Sequence, residues 1–376
     1  MKVYKKSNSF SNFKKNEKKT VFEIKEKIIY ALIEASKKKL INENEINLLQ
    51  RIIKSLKDQS FELFPNVIEE IKKIEKIDDL TDYIINRFKY DIFPQSKELA
   101  EYPPSVQVEI TSICNFRCVF CYQTDKIFHK KSNGFMGHMD LNIFKKIIDE
   151  LEGKVHFLTL ASRGEPLICK DFNKMIEYTK NKFLGIKINT NASMLTEDKC
   201  KTILENNIST LVISADAADE KNYSKLRVNG DLKKIVENLQ RFNEIKKNIY
   251  PNSKLITRVS GVKIDNQQSY EDMTNFWGKM VDQVAFVNYI PWENTYEQDS
   301  NKISTPCSDL WRRMFIWWDG SVNPCDVDYK STLKVSNVKD ETIKDIWNSK
   351  FYQNLREKHL NNQRQNINVC SRCNLV

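Results

Sequence analysis

Between residues 106 and 287 short apolar runs alternate with longer amphipathic stretches, and this alternation limits the fold more than any other feature of the chain. The apolar runs fall at 106–110, 157–160, 185–189, 211–215, 255–259 and 283–287. Between them, residues 141–151, 172–181, 197–206 and 232–248 carry apolar side chains at helical spacing. A strand that returns parallel to its predecessor needs a crossover of a dozen or more residues, commonly a helix. The pattern therefore predicts an α/β fold of about six βα units, a partial (β/α)6 TIM-like barrel, open or closed.

The flanks of this region read differently. From residue 21 to about 90 the apolar positions follow a helical period: Phe22, Ile28, Ile29 and Leu32, then Ile46, Leu49, Ile52, Ile53 and Leu56, then Val67, Ile68, Ile71 and Ile74. Asn42 before Glu45 and Asp79 before Asp82 are helix-start signals, Pro65 and Pro94 interrupt the pattern, and Pro103 and Pro104 end it. After Pro306 the chain becomes Cys- and Trp-rich, with turn signals at Asp319, Gly320, Asn323 and Pro324. The expected organisation is a helical N-terminal region (1–100), a barrel (101–300) and a small C-terminal domain (301–376).

The formal charge of +10 comes mostly from lysines scattered through helical stretches. That distribution points away from a nucleic-acid partner, which wants a basic patch interleaved with aromatics. The densest basic run, Lys2, Lys5, Lys6, Lys14, Lys15, Lys18 and Lys19, reads as a solvated tail. It contains no apolar export core, and no apolar stretch approaches the ~20 residues needed to span a bilayer. A cytoplasmic protein without membrane partners is expected.

Nine cysteines in such a chain point to metal or redox chemistry rather than a disulfide framework. Cys114, Cys118 and Cys121 lie within eight residues just after the first apolar run. Three thiolates on a βα loop suit a four-iron cube with one iron left open to a small molecule. Zinc is the competing occupant, but His129 and His138 fall at no familiar zinc spacing. Cys307, Cys325, Cys370 and Cys373 occupy the tail, the last two as CxxC. Four thiolates complete a cluster with no open iron, which suits electron transfer; a four-cysteine zinc ribbon competes for the same residues. Of the remaining pair, Cys200 sits mid-helix and reads as core, whereas Cys169 follows a turn at the barrel rim.

The CxxxCxxC spacing, with the aromatic Phe120 before the last cysteine, resembles the radical S-adenosylmethionine (SAM) superfamily signature. Ser162, Arg163, Gly164, Glu165 and Pro166 resemble that family's GGEP segment, with Arg in place of the first glycine. The resemblance implies a SAM-binding 4Fe-4S cluster on Cys114, Cys118 and Cys121. It also implies SAM contacts from Phe120, Gly164, Glu165 and Pro166, from the strand ends Asn189, Asn191 and Ser214, and from Arg227 in a loop, residues 223–230, that binds carboxylate. The tail around Cys307, Asp319–Cys325 and Trp347 resembles SPASM domains and their shortened twitch form, implying an auxiliary 4Fe-4S cluster on the four tail cysteines.

By that resemblance the chain cleaves SAM to a 5′-deoxyadenosyl radical that takes a substrate hydrogen, with a flavodoxin or ferredoxin as electron donor. The tail spacing is similar to that of twitch-type aminocyclitol dehydrogenases, which implies oxidation or rearrangement of a carbohydrate-like, amino-sugar or aminocyclitol substrate. Peptide or protein modification is the alternative, with Cys169 as hydrogen-atom donor if the reaction is an epimerisation. A nonenzymatic zinc-binding interaction protein is the reading from a different class.

Overall fold

The apolar runs all become strands. In the computed structural model, which describes residues 10–11, 18–38, 42–264, 268–289, 291 and 295–376, the strands are β1 (Phe10–Ser11), β2 (Ser105–Val108), β3 (Arg117–Cys118), β4 (Phe157–Leu160), β5 (Gly185–Thr190), β6 (Thr210–Ser214), β7 (Arg227–Val228), β8 (Ile256–Lys263), β9 (Gln283–Asn288), β10 (Arg313–Ile316), β11 (Ser321–Asn323) and β12 (Ser336–Asn337). Ten form one sheet in the order β1-β9-β8-β6-β5-β4-β2-β10-β11-β12, while β3 and β7 pair separately. Successive strands β2, β4, β5, β6, β8 and β9 are parallel neighbours, so the six expected parallel strands are present, five of them followed by a helix among the described residues. The sheet is open, its edges being β1 and β12.

Parallel strands buried on both faces read as unbroken apolar runs, and β6 shows this, with Thr210 to Ile213 all buried. Five helices follow the strands: α6 (Leu141–Leu151), α7 (Phe172–Tyr178), α8 (Glu197–Glu205), α10 (Leu232–Asn248) and, between β8 and β9, α11 (Tyr270–Trp277). Phe144, Ile147 and Ile148 of α6 and Leu239 and Phe242 of α10 pack with Val106, Leu158, Ile186, Leu211 and Val259 in one core. Asp140, Asp231 and Ser269 start their helices by accepting backbone N–H bonds.

Two local expectations change. Residues 223–230, read as a loop, contain the end of helix α9 (Glu220–Leu226), capped by Asp219, and then β7. The tail does not stand apart from the barrel sheet: β10 runs parallel to β2, from Arg313↔Ser105 to Ile316↔Val108. The tail continues through α12 (Ile343–Trp347), α13 (Lys350–Leu360) and α14 (Asn368–Arg372).

The chain divides into two compact units, Phe13–Ala100, and Met1–Asn12 with Glu101–Val376. The first holds α1 (Lys18–Ser36), α2 (Glu43–Lys57), α3 (Pro65–Lys72), α4 (Ile77–Asp91) and the short α5 (Phe93–Ser96). Ile28, Leu32, Leu49, Ile52, Ile68, Ile71, Ile84 and Phe88 are its buried apolar positions. Asn42 and Glu45 form a reciprocal capping box. Pro65 and Pro94 open α3 and α5, where a missing N–H costs nothing. Helix α4 starts at Ile77, so Asp79 lies inside its first turn rather than at the cap. Apart from Lys18 and Lys19 in α1, the N-terminal basic run lies outside the described residues. Among the described residues no helix is long and apolar enough to cross a membrane.

Candidate functional site

The loop after β2 carries the first three cysteines and is held from several sides. The Cys118 segment, β3, pairs antiparallel with β7, placing Cys118 opposite Arg227. Cys118 is buried and Cys114 and Cys121 are half-buried. Burial, with Glu165 nearby, pushes the Cys114 thiol up to about 12. Burial raises Cys121 as well, and the neighbouring Cys118 and Cys114 thiols add to the effect, so the three sulfurs lie within reach of one another's charge. Such thiols stay neutral until a cation binds them, and a metal is the means by which a buried thiolate becomes stable.

The GEP turn is pressed against this loop. A Cβ on Gly164 would lie 2.2 Å from the Thr111 carbonyl oxygen and 2.7 Å from that of Ile113, so only glycine fits. The Glu165 N–H donates to the Ile113 carbonyl at 2.9 Å. The Glu165 carboxylate, 3% exposed, accepts from Thr190 Oγ1 (2.6 Å), from the Asn191 N–H (2.6 Å) and from the Leu167 N–H (3.0 Å), bracing the 3-10 turn that Pro166 opens. Glu165 therefore ties the ends of β4 and β5 together. Asn191 Nδ2 donates to Asn115 Oδ1 (3.0 Å) and Asn115 Nδ2 to Ser193 Oγ (2.9 Å), joining the β5 end to the cysteine motif itself.

The other expected SAM contacts fall around these. Asn189 and Ser214 are half-buried on β5 and β6, and Asn189 Oδ1 is buried with no hydrogen-bond partner among the described residues. Phe120 is half-buried, its ring 5.5 Å from the Arg227 guanidinium. Arg227 forms a bidentate pair with Asp216 through Nε (2.5 Å) and Nη2 (3.1 Å). Cys169 is only 3% exposed, with its sulfur 4.0 Å from that of Met175, and burial raises its thiol. Cys200 lies in the core on α8.

Arg163, the residue that departs from the GGEP pattern, is a structural junction. Its guanidinium pairs with both oxygens of the buried Glu109 (2.7 and 2.6 Å), donates to the Tyr329 carbonyl (2.8 Å) and lies 4.1 Å over the Trp317 ring. Tyr122, next to Cys121, stacks on Tyr329 with ring centroids 4.9 Å apart and donates to the Ser162 carbonyl at 2.7 Å. The Gln123 amide donates to the carbonyls of Ser112 and Arg163. Glu109, Asn115, Tyr122, Gln123 and Tyr329 were not singled out as site residues from sequence. Asn115, Tyr122 and Gln123 lie inside or beside the cysteine motif, which is the signal that could have found them.

In the tail, Arg364 is 1% exposed and gathers two segments by donating to the carbonyls of Thr305 (2.9 Å), Cys370 (3.1 Å), Cys373 (2.6 Å) and Leu375 (2.8 Å). Cys307 and Cys370 pack on Leu310, Trp311, Leu355 and Ile367. Burial raises the Cys370 thiol, and Cys373 and Cys307 lie close enough to raise it further. Cys325 follows β11, with Asn323 Nδ2 donating to its carbonyl at 2.7 Å. The Val327 N–H points at Cys325 Sγ (3.3 Å) and the Leu375 N–H at Cys373 Sγ (3.4 Å). The fully buried Tyr352 hydroxyl has no hydrogen-bond partner among the described residues, and the charge of Cys325 reaches it.

These donor sets fit iron–sulfur clusters. Three thiols at the first site and four in the tail supply the sulfur donors such clusters take, and backbone N–H groups aimed at sulfur are among the features that tune them. Among the described residues no three His, Cys, Asp or Glu side chains gather around a single-ion position. A zinc ion requires its sulfur donors at about 2.3 Å from one point, whereas a cluster takes them at separate corners.

Comparisons with known proteins agree. Residues 108–276 match the radical SAM superfamily and residues 307–374 match the SPASM iron-sulfur cluster-binding domain. A GTP 3′,8-cyclase of Clostridium botulinum (strain Okra / Type B1) is 28% identical over 54% of this chain and 64% of its own, so the chain spans less than two thirds of that relative's length. The S-adenosyl-L-methionine-dependent 2-deoxy-scyllo-inosamine dehydrogenase of Niallia circulans is 22% identical over 72% of this chain and 92% of its own. Among solved structures, Streptococcus suis SuiB bound to precursor peptide SuiA shares the fold with a TM-score of 0.55 at 14% identity, over 92% of this chain and 85% of its own. With six parallel strands joined by helices, a cysteine triad on the first loop, a GEP turn on the second and a four-cysteine tail, the chain belongs to the radical SAM superfamily and carries a C-terminal SPASM domain, the combination that works with a 4Fe-4S cluster, S-adenosylmethionine and an auxiliary cluster.

Proposed function

We propose that Cys114, Cys118 and Cys121 hold the SAM-binding 4Fe-4S cluster, that Cys307, Cys325, Cys370 and Cys373 hold an auxiliary 4Fe-4S cluster, and that the enzyme oxidises or rearranges a small carbohydrate-like, amino-sugar or aminocyclitol substrate. When bound, the first cluster and SAM supply a 5′-deoxyadenosyl radical that removes a substrate hydrogen atom. The observation that carries the reading is the seating of the Gly164 turn on the backbone of residues 111–113, directly before Cys114. That contact makes one rigid surface of the thiols and of the turn expected to contact SAM.

The chain's own residues then have separable tasks. Glu165, Thr190 and Asn191 keep that surface preorganised, so that cofactor binding does not have to order it. The unpaired Asn189 Oδ1 offers an acceptor to a bound ligand. A cluster held by the four tail cysteines would supply an acceptor for the electron left on the substrate. In this scheme an alcohol carbon loses a hydrogen atom to the 5′-deoxyadenosyl radical, giving 5′-deoxyadenosine, its hydroxyl then loses a proton to solvent and the electron passes to the tail cluster, leaving a carbonyl with SAM as the oxidant. A flavodoxin or ferredoxin supplies the initiating electron.

The substrate class draws on the likeness to the aminocyclitol dehydrogenase, which spans nearly all of that protein; the cyclase likeness keeps rearrangement in view. Peptide modification is the second reading, favoured by the SuiB likeness reaching 92% of the chain. In an epimerising version of it Cys169 would donate the hydrogen atom, which requires access to a thiol now packed on Met175.

Anaerobically reconstituted protein, given SAM and dithionite, tests this against a panel of aminocyclitols, amino sugars and short peptides. We expect an aminocyclitol or sugar to raise 5′-deoxyadenosine formation above the uncoupled rate and to yield a product lighter by two hydrogens or an isomer. Turnover confined to peptides would replace the leading reading with the second.

A further inference from the structure

Arg227 stands against Cys118 in two independent ways. In the β3–β7 ladder the two residues are Cα partners, and the Val119 N–H donates to the Leu226 carbonyl at 3.1 Å. At the side-chain level, Arg227 Nη1 points at Cys118 Sγ, 3.7 Å away. The other two donors of the guanidinium fork are taken by Asp216, which is 0% exposed. Asp216 is itself anchored, accepting the Val262 N–H at 2.6 Å. An arginine free to clamp a ligand carboxylate would offer two parallel donors; here the fork faces Asp216 and a single N–H faces the sulfur.

We infer that the Arg227–Asp216 pair sets the reduction potential of the SAM-binding cluster by holding the positive end of a buried ion pair against the Cys118 sulfur. The inference rests on the assignment of Cys114, Cys118 and Cys121 as the ligands of that cluster. Hydrogen bonds to cluster sulfurs and nearby charge are the levers by which a protein moves such potentials, and both act strongly where solvent is excluded. Reduction adds negative charge to the cluster, so a positive group beside a ligand sulfur favours the reduced state. Asp216 makes the burial of a guanidinium tolerable and also dilutes its field, so the net effect is that of an oriented dipole. Burial works against the Arg227 charge, yet the adjacent Asp216 carboxylate holds it above its ordinary range. Arginine keeps its proton throughout the accessible pH range, so the bias is constant. Arg227 is on this reading a positioning residue that acts through Cys118.

The test compares wild type, Arg227→Gln, Arg227→Lys and Asp216→Asn, each as the full chain reconstituted anaerobically, by redox titration followed by electron paramagnetic resonance. The signal that changes when SAM is added identifies the cluster concerned. Its midpoint should fall in R227Q, lie between those of R227Q and wild type in R227K, and rise in D216N, where the positive partner remains without its counter-ion. The midpoint of the tail cluster should not move in any of them. Equal midpoints in wild type and R227Q at full iron content overturn the inference. If R227Q loads no iron, D216N decides, and an unshifted midpoint there overturns it; if neither loads while wild type does, the pair is purely structural and the inference falls. A wild type with no SAM-responsive cluster would instead sink the ligand assignment on which it rests.

Discussion

The two cysteine sites are assembled by opposite means. Cys114, Cys118 and Cys121 are near one another because they share eight residues of chain, and the surrounding fold has only to hold that loop still. It does so with backbone contacts at the Gly164 turn and the β3–β7 ladder and with the side-chain bond between Asn191 and Asn115. The four tail cysteines are spread from Cys307 to Cys373, and Cys307 reaches Cys370 and Cys373 only through long-range packing, with Arg364 drawing the Thr305 and Cys370–Leu375 segments together. The first arrangement resists disturbance from afar, whereas the second depends on a few buried side chains.

The junction between the two should show the largest effect. Arg163→Met leaves the buried Glu109 carboxylate without its ion-pair partner. Breaking such a pair costs about 3–5 kcal/mol, so thermal unfolding should begin markedly earlier and both clusters should be lost more readily. If only the tail cluster suffers, the two regions are less coupled than these contacts imply.

Arg364→Gln sharpens the contrast. Losing most of four charge-assisted bonds to carbonyls should cost about 1.5–3 kcal/mol or more, with iron content falling by roughly half while SAM cleavage persists. Gly164→Ala should do the reverse. Forcing a Cβ against the Thr111 carbonyl costs about 1–3 kcal/mol, and its signature is weakened SAM binding with the tail cluster retained. The smallest change is Thr190→Val, which removes one donor to Glu165 and should cost about 1 kcal/mol, seen as a modest rise in the KM for SAM at unchanged iron content.

The same contrast explains what the sequence made legible. Helices α6 and α10 occupy the residues that their periodicity marked, 141–151 and 232–248, because each places an apolar stripe on the sheet without help from distant chain. The cysteine triad and the GEP segment were readable for a similar reason, since their spacing is local. The α9–β7 segment was read as a loop because its helix is short and polar and its strand is two residues long, made only by pairing with Arg117 and Cys118. No local pattern announces that β10 joins β2, or that Arg163 reaches from the turn after β4 to Glu109 and Tyr329. Arg163 stood out only as a departure from a motif, and its use became visible once the tail was packed beside it.

The most direct measurement of the central claim is iron and sulfide content together with dithionite-driven 5′-deoxyadenosine formation, for wild type and for the Cys114/Cys118/Cys121 triple-Ala variant. Two cluster sites of different construction predict about eight irons per chain in wild type and about four in the variant, with 5′-deoxyadenosine abolished. About four irons in wild type would leave the tail without a cluster, and no iron with no SAM cleavage would contradict the account as a whole.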